Sequence, residues 1–450
     1  MKRIFFLLLS LVLLLACVPT PDHEAVVNKS DNAMQQALTA PKAEQSRYEA
    51  PSRWEETIEL NHLSIKFDAD VMLPDGDVYP VQTIQRHDFT PQDAINLLNA
   101  CFQGPFELRE NISSIAELDE DIRFALRGNW TEDDDGTIGW IPPDGDSEEL
   151  QELREQMAQC PAEDVFVPLT ADRLTYRNLP YAVRTADGTL IYMKLQKRAL
   201  TLQTSRKSEI QDETIVWQGG YIGEQRGNTL DDIPISEQDA IGIGNAFLDR
   251  AGLANQFGIG LAVKARHTVP IVEEPYFDVL STGYILRIAR NGGGYIPIPQ
   301  GGGYYHEDNL SALSERDEIE YSMGWKTDWI EVYVSERGIE SVGWYDPNEY
   351  VMEANENVRL MPFDEIQQHI REDFRFSYAW AEDTARRIKA LTIDRIVLSC
   401  AIDQLANQPD EAVLVPAWVI LYRSDQSELM HDHDKLMVIN AIDGSYLHVN

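Results

Sequence analysis

The chain has 450 residues, 43% of them hydrophobic, with 9 Trp, 18 Tyr and 14 Phe, and a formal net charge of −37. That apolar and aromatic content excludes a disordered polypeptide, and the length allows two to four domains. The acidity, with no basic patch to release counterions, excludes a nucleic-acid partner and opposes contact with anionic lipid headgroups.

At the N-terminus Lys2 and Arg3 precede an apolar run over residues 4–15, broken only by Ser10. A dozen residues are too few for a bilayer span, which needs about 20, so the run reads as an export signal. Leu14-Leu15-Ala16-Cys17 resembles the lipobox of bacterial lipoproteins. The resemblance implies diacylglycerol on the Cys17 thiol, cleavage before it, and a lipid-anchored protein at the outer face of the cytoplasmic membrane. Two or more acyl chains hold such a protein firmly where one does not. Residues 1–16 are then the signal peptide and 17–52 the lipidated cysteine and a polar, flexible tether. About 35 such residues span on the order of 30 Å as a loose coil.

Folded structure is expected from residue 53 onward. Residues 56–60 and 63–67 alternate with the period of half-buried strands. Thr90-Pro91-Gln92-Asp93 is a helix start whose helix carries Ala94, Leu97, Leu98 and Cys101 on one face. An acidic helix is expected at 147–159, then strands at 181–183, 190–195 and 199–202, with Asp187-Gly188 turning the first pair. Ser236-Glu237-Gln238-Asp239 caps another helix, closed by Gly252, and strands follow at 283–288, 329–334 and 339–345. A last helix carries Ile366, His369, Ile370 and Phe374, before strands at 394–402, 413–422, 436–442 and 445–449. This order predicts an α+β protein of two to three modules, each a helix packed on an antiparallel sheet. The boundaries are an N-terminal domain over 53–230, a middle module over 231–360 and a C-terminal module over 361–450.

The phrase from Trp329 through Gly338 and Ile339 to Trp344 resembles the small PepSY-like modules of Gram-positive extracytoplasmic proteins. So does Pro416-Ala417-Trp418 with Asn440-Ala441 and Asp443-Gly444. Similar modules occur in YycH/YycI-type auxiliary proteins of sensor kinases. The complete chain resembles uncharacterised clostridial-type lipoproteins of a domain-of-unknown-function family. These likenesses cover about the last 215 residues at module level and imply PepSY/cystatin-like folds, without chemistry.

Chemistry-bearing patterns are few. Asp133 and Asp135 flank a calcium-loop-like turn with Gly136 at the sixth position, but Thr131 and Pro142 occupy its first and twelfth positions. His431 and His433 alternate in an extended stretch and so offer a pair of metal ligands. Tyr295, Tyr304 and Tyr305 lie in a glycine-rich insertion suited to contacting peptide, glycan or protein. Export permits a disulfide between Cys101 and Cys160, and Cys400 reads as a buried small hydrophobe. No nucleophile elbow, zincin or phosphate-loop motif occurs. The expectation is therefore a non-catalytic binding or regulatory lipoprotein without cofactor, partnered by the membrane and by an envelope protein or sensor. The rivals are an envelope hydrolase and a solute- or cation-binding lipoprotein.

Overall fold

The alternation of residues 53–72 produces a hairpin. Strands β1 (Arg53–Glu59) and β2 (Ser64–Met72) pair antiparallel and turn Trp54, Ile58, Ile65, Phe67 and Ala69 inward. The computed structural model describes residues 36, 38–43, 47–60, 63–127, 129–132, 138–141, 147–205, 214–217, 230, 233–270, 277–299, 327–379, 388–404, 411–425 and 435–447. Strand β3 (Val81–Arg86) is followed by helix α1 (Pro91–Cys101). The Thr90 hydroxyl accepts the Asp93 N–H, and the Asp93 carboxylate accepts the Thr90 N–H. This reciprocal cap satisfies donors that the first helical turn leaves free. Next come β4 (Glu107–Arg109), α2 (Ile115–Arg127), the small hairpin β5 (Asn129–Glu132) and β6 (Ile138–Ile141), and α3 (Glu148–Gln159). Strands β7 (Phe166–Pro168), β8 (Tyr181–Arg184), β9 (Leu190–Leu195), β10 (Ala199–Thr204) and β11 (Thr214–Trp217) lead to α4 (Glu237–Ala251). Ser236 caps α4, and Gly252, at φ +71°, closes it in the left-handed conformation. The chain continues through β12 (Phe257–Pro270), β13 (Phe277–Arg290), β14 (Trp329–Ser335), β15 (Gly338–Tyr345) and β16 (Asn348–Asn355). Helix α5 (Phe363–Ala379) precedes β17 (Ala390–Gln404), β18 (Glu411–Ser424), β19 (Lys435–Asn440) and β20 (Tyr446–Leu447).

Pairing overturns the expected helix-on-sheet modules. The chain is mostly β, with twenty strands against five α-helices among the described residues. Two sheets hold nearly all of them: a ten-stranded sheet ordered β11-β12-β13-β14-β15-β10-β9-β8-β4-β7, and an eight-stranded sheet ordered β1-β2-β17-β18-β19-β20 in which β3 joins β18 to β16. The pairing of β10 with β15 crosses the expected boundary at 230/231. The pairing of β2 with β17 joins strands from opposite ends of the chain, and in parallel. Helices α1 and α4, expected in separate modules, bury Leu97, Leu98, Phe247 and Leu248 in one shared core on the ten-stranded sheet. Local pattern specifies each strand's buried face. Which distant strand pairs with it depends on contacts that no local window contains.

The second core lies on the eight-stranded sheet. Trp418, Phe67 and Phe374 are almost wholly buried there, with Phe67 and Phe374 meeting edge to face at 5.8 Å. Residues 291–299 run from β13 across this sheet. The Ser399 hydroxyl donates to the Ile296 carbonyl at 2.6 Å, and the Tyr295 hydroxyl donates to the Pro80 carbonyl at 3.1 Å. Gly292, at φ +51°, allows the crossing, because a Cβ there would lie 2.7 Å from the Tyr295 ring and 3.2 Å from Cys400 Sγ. Tyr295 is therefore a core residue, 4% exposed, and not the contact surface expected of it.

The disulfide that export would permit between Cys101 and Cys160 is not formed in this structure. Cys101, Cys160 and Cys400 are free thiols. Cys101 packs with the core under α1 and α4, while Cys160 ends α3 and donates its thiol to the Ser113 carbonyl at 3.1 Å.

Candidate functional site: a charged groove over an aromatic floor

A groove of about 1010 Å³ opens where residues 43 and 47–51 cross the start of α5. That is the upper end of the size range of small-molecule pockets. Its floor is set by Tyr48, which sequence reading assigned to the tether. The Tyr48 N–H donates to the Tyr79 hydroxyl at 3.1 Å, and its own hydroxyl donates to the Met361 carbonyl at 2.7 Å. Its ring lies 5.8 Å from that of Trp418, and the Phe363 ring lies 4.9 Å from Trp418 on the same floor. Burial, with the Asp364 carboxylate second, holds the Tyr48 hydroxyl far above its ordinary pKa. It stays a neutral hydrogen-bond donor that fixes residues 47–51 to the turn just before α5.

The rim carries charge of both signs. Arg47, Glu49, Arg359 and Asp364 line the groove and are all exposed. Among the described residues none of the four side chains has a hydrogen-bond or ion-pair partner. Several guanidiniums elsewhere are engaged: Arg371 forks onto Glu56 at 2.7 and 3.0 Å, Arg109 onto Glu117, and Arg290 onto Asp328. Two unengaged guanidiniums and two unengaged carboxylates around one apolar floor form a set of recognition groups for a ligand bearing both charges. Arg in particular offers a fork matched to carboxylate.

Two buried polar clusters lie elsewhere in the fold. On the ten-stranded sheet, His267 (0% exposed) faces Glu340 through Nδ1 at 3.3 Å, and the Gln203 amide donates to its Nε2 at 3.4 Å. An amide nitrogen only donates, so a neutral ring carries its proton on Nδ1, toward the glutamate. The Ser335 and Ser281 hydroxyls both donate to Glu340, not to the imidazole. Neither serine is activated as a nucleophile by this arrangement. The second cluster, Arg109 with Glu117, Asp164 and the Tyr192 hydroxyl, joins α2 to β4 and β9 as a closed ion network.

Of the residues singled out from sequence, Cys17, Asp133, Asp135, Tyr304, Tyr305, His431 and His433 lie outside the described residues. Tyr295, Cys101 and Cys160 are described, and the structure does not gather them into a site. Among the described residues no group of three or more His, Cys, Asp or Glu side chains is disposed as metal ligands. No described helix is long and apolar enough to cross a membrane. The groove escaped sequence reading because its two lining segments, 43–51 and 359–367, lie more than 300 positions apart along the chain. The available signal was one aromatic residue, Tyr48, inside an otherwise polar tether.

No family model matches the chain, and no curated protein matches it. Among solved structures, the crystal structure of an uncharacterized protein from Eubacterium rectale ATCC 33656 is similar over 94% of this chain and 99% of its own, at 10% identity and a TM-score of 0.44. A likeness of that degree assigns neither fold nor function to this chain.

Proposed function

We propose that this is a non-catalytic binding protein of the cell envelope, lipid-anchored through Cys17 at the outer face of the cytoplasmic membrane, whose groove takes an extended peptide segment of an envelope protein or sensor. The carrying observation is the set of four unengaged charges, Arg47, Arg359, Glu49 and Asp364, over the floor of Tyr48 and Phe363. An extended peptide presents both charge signs and alternating apolar side chains at about 3.3 Å per residue. The groove answers both features at once.

The test is fluorescence anisotropy with a labelled pool of random octapeptides. The wild-type chain should bind a fraction of the pool, and the doubly substituted Arg47→Ala/Arg359→Ala chain should lose at least tenfold in affinity with an unchanged unfolding midpoint. Both arginines are exposed and, among the described residues, unpaired, so removing them leaves no described buried group unsatisfied. Equal binding by both chains would place the site elsewhere. For the anchor, Cys17→Ala should release the protein from the membrane or leave an uncleaved precursor. The cation-binding rival predicts heat on calcium titration, and a flat calorimetric trace removes it.

A further inference from the structure

Strand β16 lies at an edge of the eight-stranded sheet. Among the described residues it pairs with β3 alone, so the N–H and C=O groups that point away from β3 have no strand beside them. The five residues from Glu349 to Glu353 are all exposed, although successive residues of a strand point to opposite faces of the sheet. The strand therefore stands clear of cover on both faces. Its centre is apolar: Tyr350, Val351 and Met352 are 39%, 42% and 56% exposed. Exposed hydrophobes scattered singly are ordinary, but three in succession on a free edge are not. Proteins guard such edges by placing charge or proline within them. Here Glu349 and Glu353 bracket the apolar run and do not interrupt it.

The register with β3 fixes what each face carries. Glu349 is opposite Gln85, Tyr350 opposite Ile84, Met352 opposite Thr83 and Glu353 opposite Gln82, with Val351 the extra residue of a bulge. Counted along β3, the two glutamates are three rungs apart and so lie on opposite faces. Glu349 shares its face with Met352 and accepts a hydrogen bond there from Gln85 Nε2 at 3.0 Å. Tyr350 shares the other face with Glu353. Of the nearby basic groups, His87 Nδ1 stands 4.0 Å from Glu349, and Lys42 feels the Glu353 charge while pairing with Glu356.

We infer that the outer edge of β16 takes an extended segment of another protein by strand addition, and that this segment carries a Lys or Arg on each side of two apolar residues. In the added strand one cation stands beside Glu349, a β-branched residue beside Tyr350, an apolar residue beside Met352 and the second cation beside Glu353. Opposite charges, and aromatic with β-branched side chains, are favourable neighbours across strands, and backbone pairing supplies the rest of the affinity. A second copy of this chain fits worse on two counts. Two copies paired about Val351 would set glutamate against glutamate, and each brings a formal charge of −37. The bulges at Val351 and Ala354 also bend the edge. Two sheets cannot then join flush, whereas a single flexible segment can follow the bend. The edge is separate from the groove, whose lining includes no residue of β16.

The probe is a fluorescein-labelled peptide, Thr-Lys-Val-Val-Lys-Thr, capped at both ends and read by anisotropy against the full chain recovered in detergent. It should bind, and the same peptide with Glu in place of both Lys should bind about tenfold more weakly. The double substitution Glu349→Lys/Glu353→Lys should exchange those preferences. Both positions are exposed, so the unfolding midpoint should stay where it is. The chain's overall acidity attracts any cationic peptide, so spacing supplies the control. Three valines between the lysines put both cations on one face, and that peptide should lose most of the gain. N-methylation of both valines removes their N–H groups, keeps the charges and should abolish binding. Equal binding of the N-methylated peptide would mean a charge contact without strand addition and would overturn the inference. No binding to the wild type, or unchanged preference in the charge-reversed chain, overturns it too. Binding lost in Arg47→Ala/Arg359→Ala would put the peptide in the groove, and a dimer dispersed by Met352→Lys would give the edge to a second copy. Either result sinks the inference. If the Lys peptide binds as expected and the octapeptide pool does not bind, the edge stands and the groove reading fails.

Discussion

Arg290 and Asp328 form a two-point ion pair that joins the two sheets. The Arg290 Nε and Nη2 donate to the Asp328 carboxylate at 2.8 and 2.7 Å, with 3% and 0% of the two side chains exposed. Arg290 also donates to the Asn348 carbonyl, and the Asn348 N–H donates to Asp328 at 3.3 Å. Asn348 is the first residue of β16, in the eight-stranded sheet, while Arg290 ends β13 in the ten-stranded one. Asp328→Ala leaves a buried guanidinium without its counter-charge and should destabilise the chain by about 3–5 kcal/mol, read from urea unfolding. Arg290→Lys should recover little, since an ammonium cannot fork onto both oxygens.

Cys101 and Cys400 should remain unreactive while the chain is folded. Burial pushes Cys400 up to about 12 and holds Cys101 well above the ordinary thiol range. The thiolate is the reactive form, so neither should alkylate with iodoacetamide at pH 8 in the folded chain. After unfolding without reductant, Cys101, Cys160 and Cys400 should each take one label. A mass two hydrogens short, with Cys101 and Cys160 unlabelled, would show the bond that the structure lacks.

The turn between β19 and β20 makes a sharper demand. Gly444 has φ +75°, and a Cβ on it would stand 2.6 Å from the His369 ring of α5. Gly444→Ala should cost about 1–2 kcal/mol in backbone strain alone, with the collision added. Adding His369→Ala should restore only the collision part. Thermal unfolding of the single and double variants separates the two contributions.

Much of this was legible locally. Thr90 with Asp93, Ser236 with Asp239, Gly252, Gly338 and Gly444 sit at the caps and turns that their residue types indicate. The alternation of residues 190–195 and 199–202 gives β9 and most of β10 directly. Strand β12 was hidden because Gly258 and Gly260 interrupt its apolar period. Both glycines are there because Pro297 and Pro299 press on the strand, a Cβ at either meeting proline atoms within 3 Å. Strand β16 was hidden because bulges near Val351 and Ala354 break its period of two, as edge strands often do. The modular grouping failed for a different reason. Pairings such as β2 with β17 join residues more than 300 positions apart, and the groove inherits the same long separation.

The pH dependence of stability should carry the signature of Asp373. This carboxyl lies on α5, is 8% exposed, and has no hydrogen-bond partner at Oδ2. Burial, with the neighbouring Glu372 charge second, raises it to about 6. Tyr446 stands beside it, its own hydroxyl raised by burial and then by Asp373. In the unfolded chain Asp373 titrates near 3.8. Between pH 4 and 6 the folded state therefore holds a proton that the unfolded state has lost, and stability falls as pH rises through that window. Above about pH 6 the loss is complete, on the order of 2–3 kcal/mol at 1.36 kcal/mol per unit. Asp373→Asn removes the ionisation and keeps the shape. It should exceed the wild type by about 2 kcal/mol at pH 7.5, following the same relation, and the two should converge at pH 4. Comparing the two chains at each pH cancels the acid response of the other carboxylates, which a chain with 75 acidic residues will show strongly. Parallel unfolding curves from pH 4 to 7.5 would mean that water reaches this carboxylate in the folded protein.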